Sequence, residues 1–281
     1  MSLFDQIKPD RPLLMAILNI TPDSFSDGGV LFSENRPNID SILQTAEAML
    51  EQGADLLDVG GESTRPGASR PSAQQELDRV LPVIEVLRKA FDCPVSVDTS
   101  RIEVMQETVK LGVDLINDVR ALSEPETLGF ISESEVLVCL MHMQGEPGSM
   151  QDSPDYVDPV EEVYDFLQSR VNACLEAGIN RQNIAIDPGF GFGKTQQHNM
   201  SLMVNLPRFT QMGLPLLVGV SRKGMIGNIT NRSVEARLAG SLAMAQAALD
   251  GGANILRVHD VAETCDMMRV WTAIKQAKEQ K

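Results

Sequence analysis

Arg257 and His259 are two residues apart in the apolar run NILRVHD (254–260), so on an extended strand a guanidinium and an imidazole share one face. That pair suits phosphate or pyrophosphate, because the planar guanidinium fork matches two anionic oxygens at once. The competing reading is a surface ion pair with Asp260. Three other runs end in groups of a different kind: PVSVDTS (94–100) in Asp98, VDLINDV (113–119) in Asn117 and IAIDPGFGFG (184–193) in Asp187. A carboxylate accepts two parallel N–H bonds, and an amide both donates and accepts. Three such groups facing one space therefore suit a flat heterocycle with a 2-amino-lactam edge. Asp98 has a second reading as a helix N-cap, although Thr99 or Ser100 could cap instead and leave it free. Asp187 precedes Pro188 and a glycine run rather than a helix start, so capping explains it poorly.

Lys223 follows the run LLVGVSRKG (216–224), next to Ser221 and Arg222. It reads as a Schiff-base amine, as a cation for a ligand, or as an exposed lysine. With two cations side by side, one of Arg222 and Lys223 is expected to point away. GFGFGKT (189–195) invites comparison with a phosphate-binding P-loop. That motif needs glycine six positions before the lysine, where this chain has Pro188, so a glycine turn with Phe190 or Phe192 lining a pocket is preferred. His142, ending CLMHMQG (139–145), reads equally as a site residue and as a hydrogen-bonded structural histidine.

The elements that would carry these groups form a series. ILNITPDSFSDGG (17–29) ends its run at Asn19, and LLDVGGESTRPG (56–67) ends its run at Asp58, followed by Thr64 and Arg65. With the runs above this makes eight strands, most of them continuously apolar, alternating with amphipathic stretches at 39–53, 72–91, 100–112, 158–178, 234–252 and 261–281. Buried parallel strands with helical crossovers predict an α/β fold, and eight units favour an eightfold β/α (TIM) barrel built as one domain over residues 1–281. Such a barrel gathers every strand end at one mouth, where barrel enzymes place their catalytic groups. The longest irregular segments, 20–37 and 60–71, are rich in Gly, Pro, Ser and Asp and short of apolar anchors, which predicts functional loops.

Composition narrows the partners. The formal net charge of −15 argues against nonspecific binding to nucleic acid or to an anionic membrane, while a few focused cations can still hold an anionic ligand. No run approaches membrane-spanning length, and the N-terminus lacks a signal-peptide pattern. The four cysteines, Cys93, Cys139, Cys174 and Cys265, have no metal spacing and read as small buried hydrophobes in a reducing cytoplasm.

The ordered motifs NITPDSFSDGG (19–29), GGESTRPG (60–67), VDT (97–99), IND (116–118), LMHMQG (140–145), DPGFGFGK (187–194), SRK (221–223) and RVHD (257–260) span nearly the whole chain. Together they resemble the dihydropteroate synthase family of the bacterial folate pathway, whose members are pterin-binding barrels. The resemblance implies condensation of 6-hydroxymethyl-7,8-dihydropterin pyrophosphate with p-aminobenzoate, assisted by Mg²⁺, in a cytoplasmic homodimer. It implies that Asp98, Asn117, Asp187 and Lys223 hold the pterin. Asn19 would reach Mg²⁺. Arg257 and His259 would meet the pyrophosphate, with Thr64 contributing, and Val258 between them would contact substrate. Arg65, Pro66, Phe190, Ser221 and Phe25 would surround p-aminobenzoate. Asp187, Lys223, Arg257 and His259 are the residues expected to act in catalysis. Three other readings remain: the pterin domain of a corrinoid-linked methyltransferase, a Schiff-base barrel aldolase using Lys223, and a non-enzymatic pterin-binding paralogue.

Overall fold

A computed structural model of the chain describes residues 3–8, 10–21, 31–33, 36–63, 70–146 and 148–279. Eight parallel strands carry the fold: β1 (Leu13–Asn19), β2 (Leu56–Gly60), β3 (Val95–Asp98), β4 (Leu115–Asp118), β5 (Leu137–Met141), β6 (Ile184–Asp187), β7 (Leu217–Val218) and β8 (Ile255–Val258). Their order is β6-β5-β4-β3-β2-β1-β8-β7. The two ends meet where Ile186 bridges Leu216 in parallel and its N–H donates to the Pro215 carbonyl at 2.9 Å, so the sheet closes into a barrel.

Side-chain alternation then sorts every strand into two faces. Leu13, Met15, Leu56, Leu115, Leu137, Cys139, Ala185, Leu217 and Ile255 pack inside the barrel, with Leu3 and Phe4 of the N-terminal 3-10 turn joining them at the strand starts. The intervening residues, among them Leu14, Leu57, Val97, Ile116, Leu140, Ile186 and Val258, face outward into the larger core shared with the helices. Each buried aliphatic side chain contributes about 1.5–3 kcal/mol, and a one-residue slip in any strand would exchange its two buried faces and turn its polar end into the helix-facing core.

Ten helices are described: α1 (Ile39–Glu51), α2 (Ala73–Ala90), α3 (Ile102–Lys110), α4 (Pro125–Ser132), α5 (Pro159–Glu176), α6 (Gln196–Val204), α7 (Leu206–Thr210), α8 (Gly224–Thr230), α9 (Leu238–Asp250) and α10 (Val261–Glu279). Local chemistry starts several of them. Asn38 caps α1, a Ser72/Gln75 capping box opens α2, Asp158 caps α5, and a Thr195/His198 box opens α6.

Four expectations change. The stretch at 100–112 does not open on a capping Ser: α3 begins at Ile102, and its N-cap position, Arg101, makes no side-chain cap. Ser100 instead donates to Asp118, and Thr99 donates to the buried Glu76 carboxylate. The stretch at 234–252 divides into a 3-10 turn (Val234–Ala236) and α9. Only Cys139 and Cys174 are buried; Cys93 and Cys265 are half-buried, and all four are free thiols. The segment 20–37 lies in part outside the described residues, yet its end is anchored, with Leu31 buried in the core and Phe32 lying under the Arg79 guanidinium at 5.6 Å.

Candidate active site

The same alternation that fills the barrel with apolar side chains at the strand starts places polar ones at the strand ends. Counting inward positions along each strand gives Asn19, Asp58, Ser96 and Asp98, Asn117, Asp187, and then Arg257 and His259. A cavity of about 540 Å³ opens above them. Asp98, Asn117, Asp187, Lys223, Arg257 and His259 line it, together with Asn19, Phe190 and Ser221.

Arg257 is the centre of the charge network. Its Nε donates to Asp58 Oδ2 at 2.6 Å and its Nη2 to Asp98 Oδ2 at 2.8 Å. Asp98 is therefore neither a helix cap nor free. The surface ion pair with Asp260 is not made by Arg257: Arg222 occupies Asp260, with Nε on Oδ2 at 3.0 Å, and its left-handed backbone (φ 56°) turns it to that side. Lys223, next in the chain, sets its ammonium 4.1 Å from the Phe192 ring centroid, the geometry of a cation–π contact. The two adjacent cations thus take different partners.

Burial dominates the titration of the site. It pushes Asp98 above the usual carboxylate range against the pull of Arg257, with Asp58 and Glu76 adding to the rise. It pushes Asp187 up to about 6, opposed by the Gly189 N–H and by Lys223, Lys194 and Arg257. Burial and the neighbouring Arg257 bring Lys223 down to about 8, with Asp187 and Asp98 opposing. Burial, then Arg257 and Arg222, take His259 down to about 3, so its imidazole is neutral at pH 7. Ser221 Oγ accepts the His259 backbone N–H at 3.2 Å and meets Nδ1 at 3.1 Å. With the hydroxyl proton directed to Nδ1, the ring proton is assigned to Nε2.

Two loops hold the polar groups at the ends of β6 and β4. After β6, Asp187 Oδ1 accepts the Gly189 N–H at 2.7 Å, and Gly189, Gly191 and Gly193 all have positive φ. A Cβ on Gly189 would lie 1.9 Å from the His142 carbonyl oxygen, so only glycine fits there. Lys194, almost wholly buried, donates to the carbonyls of Gly189 (2.8 Å) and Phe192 (3.0 Å) and meets His142 Nδ1 at 2.9 Å. That makes His142 a structural acceptor, with Phe166 edge-on to its ring. After β4, the buried Asp118 accepts the N–H groups of Arg120 (2.8 Å) and Leu122 (2.7 Å). It thereby holds Ala121 and Leu122 in left-handed conformations beside Asn117.

Of the residues singled out in the sequence, Val258 is the correction. It packs outward into the helix-facing core, because it alternates with Arg257 and His259. Thr64, Arg65, Pro66 and Phe25 lie outside the described residues, while Glu62 and Ser63 line the cavity where the segment after β2 begins. Phe190 reaches the cavity edge with nearly all of its ring buried. One working residue was missed: Lys194 carried no signal beyond its place after the glycines. Asp58 was legible as the polar end of the run LLDVG, although its partner was not.

A closed β/α barrel whose polar strand ends gather carboxylates, an amide and an Arg/His pair around one cavity defines a barrel enzyme. Residues 15–259 match the family described as pterin binding enzyme. A dihydropteroate synthase of Haemophilus influenzae is 52% identical over 266 residues, covering 95% of each chain. The solved dihydropteroate synthase of Yersinia pestis in a sulfonamide drug complex superimposes with a TM-score of 0.91 at 47% identity, covering 96% of each chain. That of Xanthomonas albilineans in complex with 7,8-dihydropteroate gives 0.83 at 42% identity, covering 96% of this chain and 95% of the other. The chain belongs to the dihydropteroate synthase family.

Proposed function

We propose that the chain condenses 6-hydroxymethyl-7,8-dihydropterin pyrophosphate with p-aminobenzoate to give 7,8-dihydropteroate and pyrophosphate. The observation that carries the reading is the placing of Asp98, Asn117 and Asp187 at three strand ends in one cavity with Arg257 and His259. The Xanthomonas albilineans relative bound to 7,8-dihydropteroate supports it, since that molecule joins both halves.

The carboxylates and the Asn117 amide accept and donate to the pterin edge. The bond between the pterin methylene and the pyrophosphate oxygen breaks, and its electron pair leaves with the pyrophosphate. Positive charge spreads into the ring, where the buried Asp187 carboxylate stabilises it; preorganised charges of this kind act most strongly where water is excluded. Arg257 and the His259 Nε2–H face the charge growing on the leaving group. The aniline nitrogen is neutral at pH 7 and attacks the methylene with its lone pair. It then loses a proton, so no strong general base is required.

Asn19 lines the cavity at the end of β1 and offers a hard amide oxygen there. A donor of that kind fits Mg²⁺, which takes oxygen ligands and keeps waters and substrate phosphate oxygens as most of them. Bound with the pyrophosphate and held by Asn19, Mg²⁺ would supply further charge stabilisation to the leaving group.

A cytoplasmic location is in keeping with four free thiols and with the absence, among the described residues, of a helix long and apolar enough to cross a membrane. A homodimer is in keeping with Val270 and Ile274, exposed one turn apart on α10; sedimentation of the purified chain tests it. The reaction itself is tested by pyrophosphate release from the pterin substrate. Release that depends on p-aminobenzoate is expected, and release indifferent to it would overturn the reading.

A further inference from the structure

Arg257 divides one guanidinium between two carboxylates that are not equivalent. In the parallel register Gly60 pairs with Asp98 and Asp58 with Ser96, so Asp58 lies two residues deeper in the barrel. The Asp98 side chain keeps 15% of its surface exposed and lines the cavity; that of Asp58 has none exposed, and Asp58 does not line it. A ligand can therefore take Asp98 but cannot reach Asp58. The second Asp58 oxygen, Oδ1, is buried with no hydrogen-bond partner among the described residues. A buried carboxylate is costly unless its charge is paired, and Arg257 is the cation it meets there.

We propose that Asp58 is a positioning residue that keeps Arg257 in place when the heterocycle takes Asp98. The inference rests on the reading that the pterin binds Asp98. In the empty cavity the guanidinium spans both carboxylates. When pterin N–H groups engage Asp98, Arg257 must release it, and Asp58 retains the Nε side while the terminal nitrogens become available to an anion. Without the Asp58 charge, Arg257 has Asp98 as its remaining carboxylate and competes with the pterin for it. Asp58 thus sets the affinity for a ligand it does not touch.

The test is equilibrium binding of 6-hydroxymethylpterin, which carries no phosphate, to the full chain. Asp58→Asn should weaken binding about tenfold, within the range for groups in direct contact. In an Arg257→Met background the same substitution should change nothing, because no guanidinium is left to collapse onto Asp98. Equal weakening in both backgrounds, or none in either, overturns the proposal. Failure of the unaltered chain to bind the pterin, or an Asp98→Asn variant binding it normally, would instead overturn the underlying reading. Should Asp58→Asn not fold, Asp58→Glu carries the test. It keeps the charge but displaces it by one methylene, so the preference for the pyrophosphate ester over 6-hydroxymethylpterin should fall, and an unchanged preference overturns the proposal.

Discussion

Asp187 is held by the turn it begins: its Oδ1 accepts the N–H of Gly189 at 2.7 Å, two residues on, at φ +69°. The carboxylate is therefore oriented before any ligand arrives, and the cost of orienting it is met in folding. Gly189→Ala should be severely destabilising, by about 3 kcal/mol or more, since it combines a left-handed backbone with a contact inside van der Waals distance of the His142 carbonyl. Thermal melting checks this; a melting temperature within a degree of the parent would contradict the described turn.

Asp187→Asn should separate activity from stability. Turnover is expected to fall on the order of 10²-fold or more, as for removal of one preorganised electrostatic group. Stability has the opposite sense. The folded-state value of Asp187, about 6, lies above its ordinary 3.8, so its contribution is fully present below 3.8 and lost as pH rises through 6. At pH 8 the wild-type residue is a buried charge, and the variant should unfold at the same or higher denaturant concentration. Near-normal turnover in the folded variant would remove Asp187 from the mechanism.

The pH profile of kcat/KM should be bell-shaped. Asp187 must be ionised to accept from the pterin and to stabilise positive charge, and with the raised Asp98 it sets an acid limb between about 6 and about 7. Lys223 must be an ammonium, which sets an alkaline limb near 8. A folded Lys223→Arg variant that keeps measurable activity should lose the alkaline limb, because guanidinium stays charged. An alkaline limb unmoved in that variant would assign it to another group.

Arg257→Lys should discriminate between ligands. A point charge cannot reach Asp58 and Asp98 in different directions and still offer two donors to an anion. Calorimetry should show pyrophosphate weakened far more than 6-hydroxymethylpterin. Equal weakening of both would make Arg257 a support of the barrel rather than an anion site.

The eight strands and the residues that close them were legible in the sequence, because burial on both faces leaves a continuous apolar run and a polar residue ending it stands out. Asn19, Asp98, Asn117, Asp187 and the Arg257–His259 pair all carried that local mark. Alternation alone even sets Val258 against its neighbours, although only the closed barrel turns that alternation into inside and outside. What the sequence could not supply was which polar groups meet. Asp58 and Arg257 are 199 residues apart, and nothing in either run names the other; they touch because β1 alone separates β2 from β8 in the ring. Lys194 likewise became a pin of the glycine turn only once three acceptors from two loops surrounded it in a buried space. Local pattern records what one strand must bury, whereas the pairing of charges depends on closure, which brings distant strand ends within hydrogen-bond distance and raises the cost of leaving any of them alone.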